Sequence, residues 1–502
     1  MALRVYNTLS GEKELFQPVQ PGKVGIYLCG PTVYKPAHIG HAVGPVIFDV
    51  IKRYLTFKGF QVTWVVNVTD VEDKLIAAAA EAGTSVLKLA RELENRYVEA
   101  MAALGVRSID HMPRASENIK EIIEHIQRLI GKGVAYAAGG DVYFDVTKDA
   151  DYGKLAHRKP EEQFAGTREG LVQSAKRNPG DFALWKAAKP DEPPEVQYDS
   201  PWGKGRPGWH IECSAMAMKL LGETFDIHGG GMDLKFPHHE NEIAQAESDT
   251  GKPFAKFWLH NGLTRFNTKK ISKSDPEFEK VMGSLQISNL LANYPAELLR
   301  FLILQSQYRS PIDFSEQALA ASKTALDTFY RLMERLGRAL TLDPYALTLS
   351  IEKTRDTPHD AAAQEFVKKI MDEQVRFLEA MDDDFNTAGA IGVLFDMANH
   401  LNRFIDASRV ESNPSDQVRN VVHAGGGTFV GLARLLGLLV EKPRAAAGQD
   451  GDCGKLMDLL IEVRKMARDA KQFQIADRIR GQLADLGFQL EDRQDGTLWR
   501  RA

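Results

Sequence analysis

Two runs of strand-and-helix pattern, separated by a stretch of different character, constrain this chain's fold more than any other feature. Val24-Gly25-Ile26-Tyr27-Leu28 is a short apolar run, followed by an amphipathic stretch from Val46 to Leu55, a second apolar run at Val62-Thr63-Trp64-Val65-Val66, and further amphipathic sequence from Ile76. Short continuous apolar runs suit strands buried on both faces, and a helix between two of them returns the chain for parallel pairing. The order predicts an α/β fold: a doubly wound, Rossmann-like parallel sheet of the kind that binds nucleotides. The pattern returns at Phe225-Asp226-Ile227 and around Phe257-Trp258-Leu259. Between the two runs lie an amphipathic helix from Glu117 to Ile130, paired strands from Val134 to Val146 about Gly139-Gly140, and a Lys-, Pro-, Gly- and Asp-rich stretch from Gly153 to Pro207. That interval reads as an inserted domain splitting one fold into two halves.

From Pro295 the period changes to helical, with Leu298, Leu299, Phe301, Leu302 and Leu304 in one block and later blocks at Ala320–Leu340, Gln364–Met381, Ala388–Ile405 and Val418–Leu439. An Ala-, Gly- and Asp-rich linker follows from Glu441. Two helices, at 455–470 and 474–486, and a hairpin turned at Asp495-Gly496 complete a small α+β module. Arg464, Arg468 and Lys471 share one helical face there, which by charge alone reads as a solvated stripe.

The chain has 502 residues, long enough for several domains with separate cores. No signal-peptide pattern opens it, and no run of about 18 uninterrupted apolar residues occurs, so a cytoplasmic protein without a membrane span is expected. Cys29, Cys213 and Cys453 are too scattered for a disulfide framework and suggest individual roles in a reducing compartment. A net charge of -5 excludes a globally basic nucleic-acid binder but not a local basic face.

His38-Ile39-Gly40-His41 follows the first strand and opens a long helix, where backbone N–H groups favour phosphate. Gly40 admits close approach of a nucleotide, and the two imidazoles can donate hydrogen bonds to a pentacoordinate α-phosphate. Alone, four such residues are as readily a surface turn. Lys270-Ile271-Ser272-Lys273-Ser274 sits in a polar loop directly after the returning sheet pattern, where its ammonium groups can reach β- and γ-phosphates. A lysine run alone is ordinarily a solvated loop, but the two motifs in this order read as halves of one ATP site that makes an acyl adenylate.

A second constellation involves sulfur. Cys29 ends the first strand, Cys213 lies in Gly208-Trp209-His210-Ile211-Glu212-Cys213, and Phe236-Pro237-His238-His239-Glu240-Asn241-Glu242 opens a further helix with Pro237 in its first turn. His238 and Glu242, four apart, share a helical face and can meet a single ion. Two thiolates, an imidazole and a carboxylate suit zinc. By spacing alone, a buried hydrophobic cysteine and an ordinary surface His/Glu pair explain the residues equally well.

The paired ATP motifs resemble those of class I aminoacyl-tRNA synthetases, with Ile271 where methionine is more usual. Cys-Gly-Pro-Thr-Val-Tyr from Cys29, Gly-Trp-His-Ile-Glu-Cys-Ser-Ala-Met from Gly208 and the His-Gly-Gly-Gly to Phe-Pro-His-His-Glu-Asn-Glu stretch from His228 resemble the cysteinyl-tRNA synthetase family in combination, along nearly the whole chain. Ala42-Val43-Gly44-Pro45, where relatives often carry arginine, and Gln163 to Ala175 depart from the family pattern. The resemblance implies a HUP-type catalytic fold whose His38, His41, Lys270 and Lys273 act in catalysis, with His38, Gly40, His41 and Lys273 on ATP. It implies one zinc ion on Cys29, Cys213, His238 and Glu242, joined by the substrate thiolate, so that no editing site is needed. It further implies a cysteine pocket formed by Gly30, Thr69, Trp209, His228 and Asp233, with Mg2+ arriving on ATP. Without the family, Trp209 reads as a core residue and Gly229-Gly230-Gly231 as a turn.

The expected organisation is therefore a catalytic domain at 1–110 and 206–265, an inserted connective domain at 111–205, a KMSKS-like loop and stem-contact region at 266–315, a tRNA-binding helical bundle at 316–440, a linker at 441–454 and an anticodon-binding module at 455–502. Partners implied are L-cysteine, ATP and tRNA(Cys), with the protein a monomer and Arg464, Arg468 and Lys471 turned toward phosphates. Two rivals remain: a cysteine ligase of mycothiol biosynthesis, expected to lack the terminal module, and a non-catalytic RNA-binding paralogue, which would not need both ATP half-sites.

Overall fold

The chain enters a parallel sheet through an antiparallel ribbon, β1 (Arg4–Asn7) with β2 (Glu12–Leu15). The computed structural model describes residues 2–157, 175–265, 283–349, 360–412, 415–443, 452–493 and 496–501. β3 (Lys23–Leu28) pairs in parallel with β4 (Gln61–Val66) across helix α1 (Gly40–Phe57). Ile26, Tyr27, Trp64, Val65 and Val66 are all fully buried, so both faces of these strands are covered and neither shows an alternating pattern.

After α2 (Asp73–Ala82), α3 (Val86–Ala103) and α4 (Ile119–Gly131) comes a separate antiparallel sheet, β5 (Ala135–Ala138), β6 (Asp141–Phe144), β7 (Phe182–Ala187) and β8 (Gly205–Pro207). It packs on a core of Ile122, Ile126, Leu129, Phe144, Leu184 and Trp185 that also takes in Ile211, Ala215 and Ala244. The chain rejoins the parallel sheet through α5 (Trp209–Leu221), β9 (Phe225–Gly231), α6 (Glu240–Thr250) and β10 (Ala255–Asn261). The strand order is β10-β9-β3-β4, so the carboxyl ends of all four strands share one edge, where open parallel sheets form their ligand crevice. Gly229-Gly230-Gly231 continues β9 rather than turning.

β11 (Thr264–Arg265) pairs with β12 (Ile312–Asp313), with α7 (Ile287–Asn293) and α8 (Ala296–Leu304) between them in sequence. The remaining helices of this unit are α9 (Glu316–Leu340), α10 (Ala361–Asp382), α11 (Thr387–Ser408) and α12 (Asp416–Leu435). Their starts follow capping chemistry: Ser315, Asp360, Asn386 and Ser415 side chains each accept from a backbone N–H of the first turn. The expected separate core is absent here, because Phe301, Phe329, Phe366 and Phe429 belong to the same apolar cluster as Ile26 and Phe48. The helices are thus packed directly onto the α1 side of the sheet.

Residues Glu441–Ala502 form a second unit of α13 (Asp452–Asp469), α14 (Phe473–Asp485) and the hairpin β13 (Phe488–Arg493) with β14 (Gly496–Arg501). Here the basic stripe reads differently from the sequence. Arg464 is buried and holds Asp492 with both Nη atoms, at 2.7 and 2.8 Å, so its head is an internal strut rather than a free phosphate ligand. Arg468 also reaches Asp492, at 3.2 Å. Among the described residues no helix is long and apolar enough to cross a membrane. Lys270, Ile271 and Lys273, and residues 163–174 of the departing stretch, lie outside the described residues.

Candidate metal and nucleotide site

Four elements deliver the sulfur-bearing cluster. Cys29 directly follows β3, Cys213 lies in the second turn of α5, His238 precedes α6 and Glu242 sits in its first turn. Pro237 is not inside that α-helix as expected: an extended Phe236 (φ −141°, ψ 135°) breaks the chain before it, and the α-helix begins at Glu240. The cluster nevertheless closes. Cys29 Sγ is 3.8 Å from Cys213 Sγ and 3.3 Å from Glu242 Oε1, and His238 Nε2 is 3.5 Å from Cys213 Sγ and 3.1 Å from Glu242 Oε1. All four donor atoms lie within 4.8 Å of one another.

The electrostatics call for a cation. Burial pushes both thiols up, with the Glu242 charge adding to it, and burial pushes His238 down. Among the described residues no lysine or arginine pairs with Glu242, whose ion-pair partners are the imidazoles of His228 and His238. Two thiols, a neutral imidazole and a carboxylate packed this closely fit a divalent ion of borderline softness, tetrahedral zinc above all.

Surrounding groups orient these donors. His210 Nδ1 meets His238 Nδ1 at 2.8 Å, which leaves His238 Nε2 facing the cluster, and Trp209 stacks on His238 at 4.2 Å. Trp209 is 38% exposed, so it is not the core residue that composition alone suggests. His228 Nε2 contacts Glu242 Oε2 at 2.8 Å and its ring stacks on Trp258. A second quartet, Cys29, His228, His239 and Glu242, is equally compact. It has only one thiol, however, so the first quartet, with two, is the better zinc site.

The other expected pocket residues gather at the same strand ends, with one difference. The Gly30 N–H donates to Asn67 Oδ1 at 2.8 Å, and Thr69 Oγ1 donates to the fully buried Glu212 at 3.0 Å. Asp233 instead stands exposed on the single turn Met232–Leu234 beyond β9. His210, Glu212 and Asn67 escaped the sequence reading as individual residues. Their signal lay inside the motifs already singled out, since His210 and Glu212 flank Ile211 before Cys213 and Asn67 is two before Thr69.

At the neighbouring strand end α1 starts at Gly40 with no side-chain cap from Ile39, and its first turn closes on backbone carbonyls, the His41 N–H donating to His38 O at 2.8 Å and the Ala42 N–H to Ile39 O at 2.9 Å. His38 and His41 stack at 3.8 Å, and the His38 N–H donates to His41 Nδ1 at 3.3 Å. That bond assigns the proton of neutral His41 to Nε2. Burial lowers the His41 pKa to about 3, helped by His38, and burial lowers His38 too. Leu285 and Ile287 are laced to this motif: the Ile39 N–H donates to Leu285 O at 2.9 Å and the Ile287 N–H to Ala37 O at 3.0 Å. Chain beyond the lysine motif therefore returns to the histidine motif.

A family model described as the class I (C) tRNA synthetase catalytic domain matches residues 15–324, and a DALR domain model matches residues 376–440. Cysteine–tRNA ligase of Geobacter sulfurreducens is 45% identical, with 100% of both chains covered. That of Thermococcus onnurineus is 42% identical over 100% of this chain and 99% of its own. Among solved structures, methionyl-tRNA synthetase of Mycobacterium tuberculosis shares the fold with a TM-score of 0.60 at 15% identity, covering 88% of this chain and 94% of that one.

Proposed function

The chain belongs to the cysteine–tRNA ligase family of class I tRNA synthetases, and from that premise we propose how its own residues carry the reaction. The carrying observation is the quartet of half-buried Cys29 with buried Cys213, His238 and Glu242, all within 4.8 Å of each other. These residues hold one zinc ion per chain. Bound there, zinc supplies a soft positive charge that takes the substrate sulfur as thiolate, which a serine hydroxyl or an alanine methyl cannot match.

The protein residues do the rest. His210 holds His238 in the tautomer that offers Nε2, His228 holds the far oxygen of Glu242, and Trp209 walls the pocket. Gly30 and Thr69 line it, and Asp233 pairs with the substrate ammonium at its open side. ATP lies across the start of α1, against His38, Gly40 and His41, with Mg2+ on its phosphates. A carboxylate oxygen of cysteine attacks the α-phosphorus and the bond to the β-phosphate bridging oxygen breaks. His41 Nε2–H and His38 donate to the α-phosphate, and Lys270 and Lys273 take the charge on departing pyrophosphate. A terminal ribose hydroxyl of tRNA(Cys) then attacks the acyl carbon and AMP leaves.

The helical region and terminal unit hold the tRNA, the enzyme works as a cytoplasmic monomer, and it carries no editing site. Cysteine-dependent pyrophosphate exchange followed by charging of tRNA(Cys), with serine as control, tests this. Exchange with cysteine but not serine, then charging, is expected; exchange without charging would mean another acceptor. For the metal, Cys213→Ser protein is expected to lose zinc and cysteine affinity together, and retention of both would sink the ligand assignment.

A further inference from the structure

One turn outside the site is bonded to α1 and to a segment that reaches the strand edge beside it. Asp384 and Phe385, between α10 and α11, take consecutive left-handed conformations (φ 61° and 49°), which side chains other than glycine rarely adopt. Strain of this kind persists only where the surroundings enforce it. Here they do. The Asp384 carboxylate is fully buried and accepts four hydrogen bonds: from the Tyr6 N–H at 2.8 Å and the Tyr308 hydroxyl at 2.9 Å on Oδ1, and from Gln307 Nε2 and Arg309 Nε on Oδ2, each at 2.9 Å. Thr387 Oγ1 adds a bond to Leu304 O at 2.7 Å.

The segment that Asp384 grips is in turn laced to the strand edge facing the nucleotide. The Gly262 N–H donates to Tyr308 O at 2.8 Å, the Ile312 N–H to Leu263 O at 3.0 Å and the Phe314 N–H to Arg265 O at 3.0 Å. Thr264 Oγ1 lies 3.3 Å from where a Cβ on Gly40 would stand, and Asn261 Oδ1 lies 3.4 Å from the same point on Gly44. Residues 261–264 thus pack against the start of α1 beside the histidine motif. The same turn also holds the far end of α1, where Asp382 accepts from Tyr54 Oη at 2.7 Å and from Lys58 Nζ at 3.1 Å, about 21 Å along the helix from Gly40.

We infer that the turn 382–387 is a clamp that fixes α1, and with it the histidine motif, against residues 261–264 at the ATP pocket, with Asp384 as a positioning residue for adenylate formation. The inference rests on the assignment of His38, Gly40 and His41 to ATP. The turn also joins two helices of the region matched by the DALR domain, so movement of that helical region is transmitted to the pocket rather than absorbed before it.

The test is cysteine-dependent pyrophosphate exchange by zinc-loaded full-length Asp384→Asn protein, with rates expressed per active site titrated by adenylate burst. Asparagine keeps the size but cannot accept on both sides. The expected result is a KM for ATP raised about fivefold or more, with KM for cysteine and zinc content within about twofold of the parent. Tyr308→Phe, which removes one donor of the four, is expected to shift the same parameter less, and serves if the Asn variant does not fold. A fall in the titrated fraction with an unchanged ATP KM per site, in whichever variant folds, would overturn the proposal and leave a structural stitch. His41→Ala is the control: if it too leaves ATP KM and kcat unchanged, the ATP assignment fails and takes the proposal with it.

Discussion

Glu242 and Asp384 are both fully buried carboxylates in the same unit, yet their surroundings are opposite. Asp384 is met by a backbone N–H, a hydroxyl, an amide and a guanidinium. Glu242 is met by a thiol and two imidazoles. Taking a carboxylate out of water costs several kcal/mol unless partners offset it. Asp384 has those partners within the chain, so it is complete as it stands. Among the described residues Glu242 has none with a fixed positive charge, and the two thiols beside it would also gain from one. Burial alone therefore does not separate a strut from a ligand. The sign and kind of the neighbours do.

The largest effect should come from removing the charge that lacks a partner. Glu242→Gln is expected to weaken zinc binding by roughly a thousandfold, about 4 kcal/mol at 1.4 kcal/mol per tenfold. Competition with a chromophoric chelator measures it. The same substitution in chelated protein should leave the melting temperature unchanged or raised, because an uncompensated buried charge is gone. A chelated Glu242→Gln protein that melts far below the chelated parent would break the comparison, since Glu242 would then be as complete as Asp384.

Asp384→Ala is the mirror case and the next largest. Removing one partner of a buried ionic network leaves the others stranded, so a loss of about 3 kcal/mol is expected. Arg309, which is partly exposed, can be rehydrated, whereas the Tyr308 hydroxyl is buried and cannot. Denaturant titration should give that loss with zinc and without it alike. Dependence of the loss on zinc would mean that the two carboxylates share one network.

The two carboxylates also differ in how far they can be read from sequence. Glu242 is legible because its cluster is written in short motifs: His238 and Glu242 four apart, Cys213 beside Trp209 and His210. Asp384 is not, since its partners Tyr6 and Gln307 to Arg309 are far away in the chain and Asp382-Asp383-Asp384 reads as an ordinary turn. The parallel sheet was legible from its apolar runs, but the glycine triplet was misread by composition. Gly229 is in a strand because α1 crosses it so closely that a Cβ there would fall 2.0 Å from the Phe48 ring. A close approach between two elements leaves no local period to detect. Arg464 failed for a related reason: it shares a helical face with Arg468, though the helix ends at Asp469 and leaves Lys471 beyond it with a left-handed backbone, and the hairpin that brings Asp492 onto that face is a tertiary fact.

Asp492 supplies the third and mildest case, a carboxylate surrounded by charge but open to water. It accepts from Arg464, Arg468, Arg480 and Thr497, and bonds to Arg464 above all hold its carboxyl below the usual range. A carboxylate depressed in the folded state contributes stability that is present above its unfolded pKa of about 3.9 and is lost as pH falls through the folded value. Asp492 is 32% exposed, so solvent screens the pair and Arg464→Ala should cost only about 0.5–1 kcal/mol at neutral pH. Hydrogen exchange across α14 and the hairpin of the full-length protein should show that loss, and the gap from the parent should begin to narrow below about pH 4 and shrink further as pH falls toward the folded value. The tRNA KM should stay within about twofold, because the Arg464 head is spent on Asp492 rather than on a phosphate. An Arg464→Ala protein with unaltered exchange but a much raised tRNA KM would instead return Arg464 to the RNA-facing surface.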